Sequence, residues 1–158
     1  MVGKEAAVNG TIKELMERKS LRAFDPKPVG AVEKETILMA AMAAPSAGNQ
    51  QLYTRLDIVD EALKAKLACS CDDQPFIAKA SMVLVFCADV QRWYDSYIEA
   101  GISPRLPGPG DLMLAVSDAH IAAPTAVTAA ENLGIGPCLL GRVMPTCELP
   151  WRHLSLPE

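Results

Sequence analysis

The sequence has no excess of basic residues: its formal net charge is −4, and Lys and Arg are mixed with Asp and Glu along its length. Phosphate-backbone recognition needs a basic face, so nucleic-acid binding is excluded as the main function, although a local basic cluster is compatible with this balance. No apolar run reads as approaching membrane-spanning length. The first ten residues hold no secretory-type apolar segment, because Lys4 and Glu5 interrupt what little there is. Cysteine is present five times, an odd count without a small-scaffold disulfide pattern. Free thiols in a reducing compartment fit that count best. Together these absences predict a cytoplasmic protein with neither a nucleic-acid nor a membrane partner.

Several chemistries are also missing. Cys69, Cys71, Cys138, Cys147, His120 and His153 show no C-x-x-C or H-x-x-x-H spacing, so no metal site is expected. Ser117, Asp118 and His120 are triad residue types, but they fall within one apolar helical pattern and no G-x-S-x-G elbow is present. Gly134, Gly136 and Gly141 are in the wrong order for G-x-G-x-x-G and lie in a helix-to-strand segment, where a dinucleotide motif runs strand to helix. No internal repeat or low-complexity stretch occurs.

What remains is a 158-residue chain that is 50% apolar, enough for one domain with a core and too short for two, so residues 1–158 are expected to form a single domain. Thr11 with Glu14 reads as a capping box opening a short helix to about Arg18. A second helix is expected over 32–44, stopped by Pro45 and followed by a turn at 46–49. Strands are expected at 54–59 and 81–87, with a helix capped by Asp60 between them. Residues 91–100 read as a helix and 102–110 as a Pro- and Gly-rich loop, so that about 88–111 form an excursion from the core. The Ala-rich pattern over 111–133 predicts a long helix buried nearly all round, kinked at Pro124 and ended by Gly134. A short strand at 137–140 and a weak helix at 145–153 complete the reading.

Three blocks could carry chemistry. Arg18, Lys19, Ser20 and Arg22 place three cations and a hydroxyl in five residues at a helix exit, material suited to a phosphate. Taken alone, a solvated charged turn is the commoner meaning of such a cluster. Pro45, Ser46, Asn49 and Gln51 follow a stopped helix, and each carboxamide offers the donor and acceptor that match an imide edge. A helix end followed by polar loop residues explains this block equally well. The third block, residues 129–141, reads by itself as helix-capping glycine and core strand.

In this order the three blocks resemble the nitroreductase family over almost the whole chain, from Thr11 to Glu158. The pattern Arg-x-Ser-x-Arg is met by Arg18, Ser20 and Arg22; Ala-Pro-Ser-x-x-Asn-x-Gln by Pro45, Ser46, Asn49 and Gln51; and the glycine pattern by Gly134, Gly136, Cys138 and Gly141. The resemblance implies an α+β fold, a small mixed or antiparallel sheet surrounded by helices with a long buried central helix. It also implies an obligate homodimer with FMN across its seam, in which the long helix over Asp111 to Leu133 forms much of the interface. By carry-over, Arg18, Lys19, Ser20 and Arg22 hold the phosphate and approach the ring, with Arg22 the candidate stabiliser at N1/O2. Pro45, Ser46 and Asn49 reach the flavin from the other subunit, Gln51 lies nearby, and the backbone at Leu140 and Gly141 bonds near N5. No catalytic acid or base is required.

The implied activity is ping-pong transfer of electrons from NADH or NADPH to nitroaromatic, quinone-like or other electron-poor small molecules. Alternatives are a non-catalytic FMN-binding dimer, or a flavin enzyme of the same fold with dehalogenase or flavin-fragmenting activity. Trp93, Tyr94, Tyr97 and Arg105 lie where the family places a variable cap, and are candidate substrate contacts; an aromatic stripe is more often simple packing. Two departures stand out. Leu52-Tyr53 replaces the usual Pro-Trp, and the sequence stops at Leu156-Pro157-Glu158, where relatives continue with a strand, a turn and a basic segment. The expected consequences are an unpaired sheet edge and fewer phosphate contacts.

Overall fold

A computed structural model of the chain describes residues 9–141, and its longest element, helix α6 (Pro109–Asn132), gives the others their packing surface. Gly108 is its N-cap, and the Asp111 carboxylate accepts from the Gly108 amide at 2.7 Å. The helix thus begins before residue 111: a proline in the first turn forfeits only an amide that would have no intrahelical partner. Ala115, Ala119, Ala122, Ala126 and Ala130 recur at three- and four-residue spacing and are all buried. Such a face lets neighbouring backbones come close. The helix continues through Pro124 as one element.

Contrary to the expectation of burial all round, Leu112 (56% exposed), Met113 (71%), Leu114 (45%) and Ile121 (41%) face outward from the single chain. By length and composition α6 is apolar enough to cross a membrane, against the expectation that no run is. Its alanine face packs instead against a helix and both strands, the position of a core helix.

That neighbouring helix is α2 (Ala31–Met42), whose Ile37 and Ala41 pack with Ala126 and Ala130. Strands β1 (Tyr53–Asp57) and β2 (Leu84–Ala88) pair antiparallel from Tyr53 opposite Ala88 to Asp57 opposite Leu84, and form the two-stranded sheet of the described residues. Tyr53 and Phe86 rest on Ala119 and Ala122. Between the strands lie α3 (Glu61–Ser70), capped by Asp60 as expected, and α4 (Phe76–Lys79), a single turn the sequence did not announce. They enclose a second core of Ile58, Leu67, Ala68, Cys71 and Ile77. Helix α5 (Gln91–Glu99) comes after β2.

Helix α1 (Gly10–Glu17) is capped by Asn9, whose side chain accepts from the Ile12 amide at 3.0 Å, not by Thr11. Glu14 cannot close a capping box because its carboxylate accepts from Asn132 Nδ2 at 2.8 Å, tying α1 to the end of α6. Residues 137–140 form no strand, and the helix expected at 145–153 lies outside the described residues.

Because Ala122 is fully buried beneath the sheet, Ala122→Leu should overpack this seam and cost about 1–3 kcal/mol, measurable as a lower urea midpoint at unchanged slope.

Candidate functional site

The loop at 46–52 begins where α2 stops. Ser46 is extended and caps a single 3-10 turn, Ala47–Asn49. Within the next few residues Gly48 (φ 56°), Asn49 (57°) and Gln51 (51°) all take left-handed backbone conformations. Gly48 and Asn49 enter this region readily, whereas Gln51 needs surrounding bonds to hold it there. Those bonds are present. Asp118 of α6, 3% exposed, accepts from the Ala47 amide through Oδ1 at 3.1 Å and from the Leu52 amide through Oδ2 at 3.0 Å. Ser46 Oγ accepts from the Gln51 amide at 3.2 Å. From the other side, the Trp93 indole donates to the Gln50 carbonyl at 2.7 Å, and Arg92 donates to the carbonyls of Gln50 and Gln51.

The side chains this loop displays differ in freedom. Gln51 Nε2 donates to the Met42 carbonyl at 3.3 Å, which engages one of its donors. Asn49 is exposed, and its carboxamide makes no hydrogen bond among the described residues. Pro45 is exposed and Ser46 half-buried. Sequence pattern marks Asp118 only as a triad residue type and gives no hint of this role. The triad types are in fact dispersed: Ser117 Oγ donates to the Met113 carbonyl, and His120 Nδ1 bonds the Val116 carbonyl, each at 2.8 Å.

The cationic block occupies a second location. Arg18 caps the end of α1, and Leu21 anchors the segment beyond it. The Leu21 amide donates to the Pro137 carbonyl at 3.1 Å, and its side chain fills the space where a Cβ on Gly136 would stand. Gly134, at φ 75°, ends α6 and turns the chain toward this contact. The first and third blocks therefore interlock. Arg18, Lys19 and Arg22 are exposed, Ser20 is half-buried, and among the described residues none of the three cations has an ion pair or side-chain hydrogen bond. Leu140 packs on the Ile58–Leu67 core, and Gly141 is exposed.

Within one chain these groups are not brought together. The 46–52 loop is pinned to α6 at Asp118 and the cationic block to the helix's far end, beyond Asn132. Fourteen residues of rise separate those points, about 20 Å along the axis. No hydrogen bond among the described residues joins the two groups.

The candidate substrate residues do converge. Trp93, Tyr94, Tyr97 and Arg105 line one open cleft of about 190 Å³ together with Gln50 and Asp111. Typical ligand pockets run from about 300 Å³ upward, so this open cleft is smaller than most. Trp93 and Tyr97 have ring centroids 5.9 Å apart. Arg105 is not a free cation: both its terminal nitrogens reach the Asp111 carboxylate at 2.7 Å. That paired bond, with the Gly108 amide second, lowers the Asp111 carboxyl to about 2. Burial pushes up the thiols of Cys71 and Cys87, the latter helped by Asp89, so neither is an activated nucleophile. No group of three metal-ligating side chains occurs among the described residues.

Comparison with known proteins agrees with the residue pattern. The profile of the nitroreductase family matches residues 15–146. The chain is 31% identical to an FMN reductase (NADPH) of Bacillus subtilis over 96% of its own length and 61% of the relative's. It is also 31% identical to an oxygen-insensitive NADPH nitroreductase of Salmonella typhimurium, over 94% of the chain and 60% of the relative. Among solved structures, a nitroreductase from B. subtilis superimposes with a TM-score of 0.89 at 28% identity, covering 94% of this chain and 61% of that one. An NADPH:FMN oxidoreductase from Vibrio harveyi, solved in complex with NAD+, gives 0.88 at 26% identity, covering 95% and 64%. The chain thus spans about three fifths of the length of the curated relatives it matches.

The Arg105–Asp111 pair yields a pH prediction. Asp111 holds its charge down to about 2 against an ordinary value of 3.8. A depressed carboxyl contributes stability above its unfolded value and loses it as pH falls through the folded one, so the start of α6 should loosen between about pH 4 and 2. Carboxyl NMR titration should place the Asp111 midpoint near 2, and Arg105→Ala should move it up toward 3.8.

Proposed function

The chain belongs to the nitroreductase family, and from that footing we propose that it binds FMN between two copies of itself and carries electrons from NADH or NADPH to small electron-poor acceptors. The observation that carries this reading is the pair of incomplete half-sites. One is a set of three cations without an ionic partner among the described residues, and the other a carboxamide-bearing loop held in left-handed geometry. Their anchor points on α6 lie about 20 Å apart along the helix within one chain, which supports one half being supplied by a second copy. The outward-facing Leu112, Met113, Leu114 and Ile121, with Val32 and Met39 of α2, offer apolar surface for that association. Relatives named as an FMN reductase, an NADPH nitroreductase and an NADPH:FMN oxidoreductase support the cofactor and the donor.

The residues fit FMN by chemical type. Arg18, Lys19 and Arg22 present charge-assisted donors to a phosphate and Ser20 a neutral one, with Arg22 the cation suited to the N1/O2 side of the ring. Pro45, Ser46 and Asn49 of the second copy would border the ring, where the Asn49 carboxamide, without a hydrogen bond among the described residues, offers both a donor and an acceptor to an imide edge. Gln51 lies beside it, already spending one donor on Met42. The backbone at Leu140 and Gly141 would face N5. Bound FMN supplies two-electron chemistry, received from a nicotinamide and given to an acceptor in alternation. The protein's part is to orient the partners and limit water, with no side-chain acid or base.

On this reading the chain is a single FMN-binding domain of the cytoplasm, and residues 88–111 cap the site. Trp93, Tyr94 and Tyr97 form the stacking surface of the cleft and Arg105 its paired rim, suited to nitroaromatic or quinone-like rings.

Purified protein should be dimeric and yellow, or become yellow with added FMN, and should bleach anaerobically with NADH or NADPH. Arg22→Ala should weaken FMN binding by about 10- to 100-fold in a fluorescence titration, the loss of one charge-assisted contact. Protein that takes up no FMN would remove the proposal; yellow protein inert to both nicotinamides would reduce it to a flavin-binding scaffold.

A further inference from the structure

We propose that Asp118 is a positioning residue for this site: its buried carboxylate staples the two ends of the 48–51 segment and thereby sets the backbone conformation from which Asn49 and Gln51 are displayed. The purpose assigned to the loop rests on the flavin reading; the hold on the loop rests on the hydrogen bonds themselves.

Asp118 is out of place as a packing residue. It lies among Ala115, Ala119 and Ala122 on the face of α6 that meets α2 and the sheet, and it is 3% exposed. Desolvating a carboxylate there is unfavourable unless its oxygens are bonded, and an apolar residue of similar size would serve packing as well or better. Both oxygens are bonded, each to a different end of the loop: Oδ1 receives the Ala47 amide and Oδ2 the Leu52 amide. These bracket Gly48, Asn49 and Gln51, the three left-handed positions. A single acceptor could fix one end and leave the other to swing. Two acceptors in one rigid plane set the separation of the ends, which holds the tight left-handed run in one conformation and keeps Gln51 at its unfavourable φ.

A second clamp completes the arrangement. Arg92 and Trp93 of α5 grip the loop's carbonyls at Gln50 and Gln51, so amides are held from the α6 side and carbonyls from the α5 side. Backbone groups at 47, 50, 51 and 52 are thus occupied, while the Asn49 carboxamide makes no hydrogen bond among the described residues. A loop ordered in advance spares the ordering cost at binding, so its worth appears as ligand affinity as well as fold stability.

Asp118→Asn is the informative change. It keeps volume and one carbonyl oxygen but turns an NH2 donor toward an amide donor, so one of the two bonds must be lost. Amide hydrogen exchange on the apo protein, assigned by NMR, should show slow exchange at Ala47 and Leu52 in the wild type. In Asp118→Asn one of them should exchange about tenfold faster or more, while amides of α2 and β1 keep their protection. FMN affinity should fall by a comparable factor with the nicotinamide KM nearly unchanged. Lys66→Ala, an exposed change on α3 away from the loop and from the outward face of α6, should alter neither quantity.

Fast exchange at Ala47 and Leu52 in the wild type would overturn the proposal without any variant, which covers the case of Asp118→Asn failing to fold. Wild-type exchange and wild-type FMN affinity in a folded Asp118→Asn protein would also overturn it. If the wild type takes up no FMN, the flavin reading fails by itself, and the exchange rates alone decide whether Asp118 holds the loop.

Discussion

Close approach along the alanine face of α6 is the constraint that governs this molecule. With Ala115, Ala119, Ala122, Ala126 and Ala130 at the contact, α2 and the two strands lie against the helix backbone with little side-chain bulk between them. Only at that short range can a carboxylate as small as that of Asp118 reach main-chain amides on both sides of a loop. A larger residue at Ala119 or Ala122, which pack against Tyr53, would push the end of the loop away from its anchor. Fold and candidate site therefore share one interface.

The opposite face of α6 carries the complementary message. Leu112, Met113, Leu114 and Ile121 are unsatisfied apolar surface on a single chain, and burying them is favourable at about 25 cal/mol per Å². The inner face organises the carboxamide loop, and the outer one is left as apolar surface on the single chain. The cations at 18–22 are placed at the far end of the helix, by the Glu14–Asn132 bond and by the fit of Leu21 over Gly136 with its hydrogen bond to Pro137. Local order is thus built separately at the carboxamide loop and at the cationic block.

How much of this could be read from residues alone depends on whether the governing contact was local. Asp60 was legible as a cap because its acceptor and the Leu63 amide lie within one turn. Thr11 misled for the converse reason: Glu14 has a partner in Asn132, far along the chain, that no local rule anticipates. Burial all round for α6 was inferred from composition, but a helix can be apolar on two faces for two different partners. The three blocks were legible as patterns, and the interlock of the first with the third was not, because it runs through a main-chain bond and an absent Cβ. Asp118 was the hardest to see. Its partners are amides 71 and 66 residues away, and backbone groups leave no mark in sequence spacing. The one available signal was an acidic residue in a row of alanines.

Subunit complementation tests the shared site most directly. Arg22→Ala and Asn49→Ala variants, each expected to bind FMN poorly alone, would be co-expressed with distinct tags and the mixed dimer isolated. If each flavin draws its cation from one copy and its carboxamide from the other, the mixed dimer has one site with both residues intact and one with neither, and should recover about one wild-type-affinity FMN per dimer. A mixed dimer binding no better than its parents would contradict the account, since it would mean that both residues serve the flavin from the same chain or not at all.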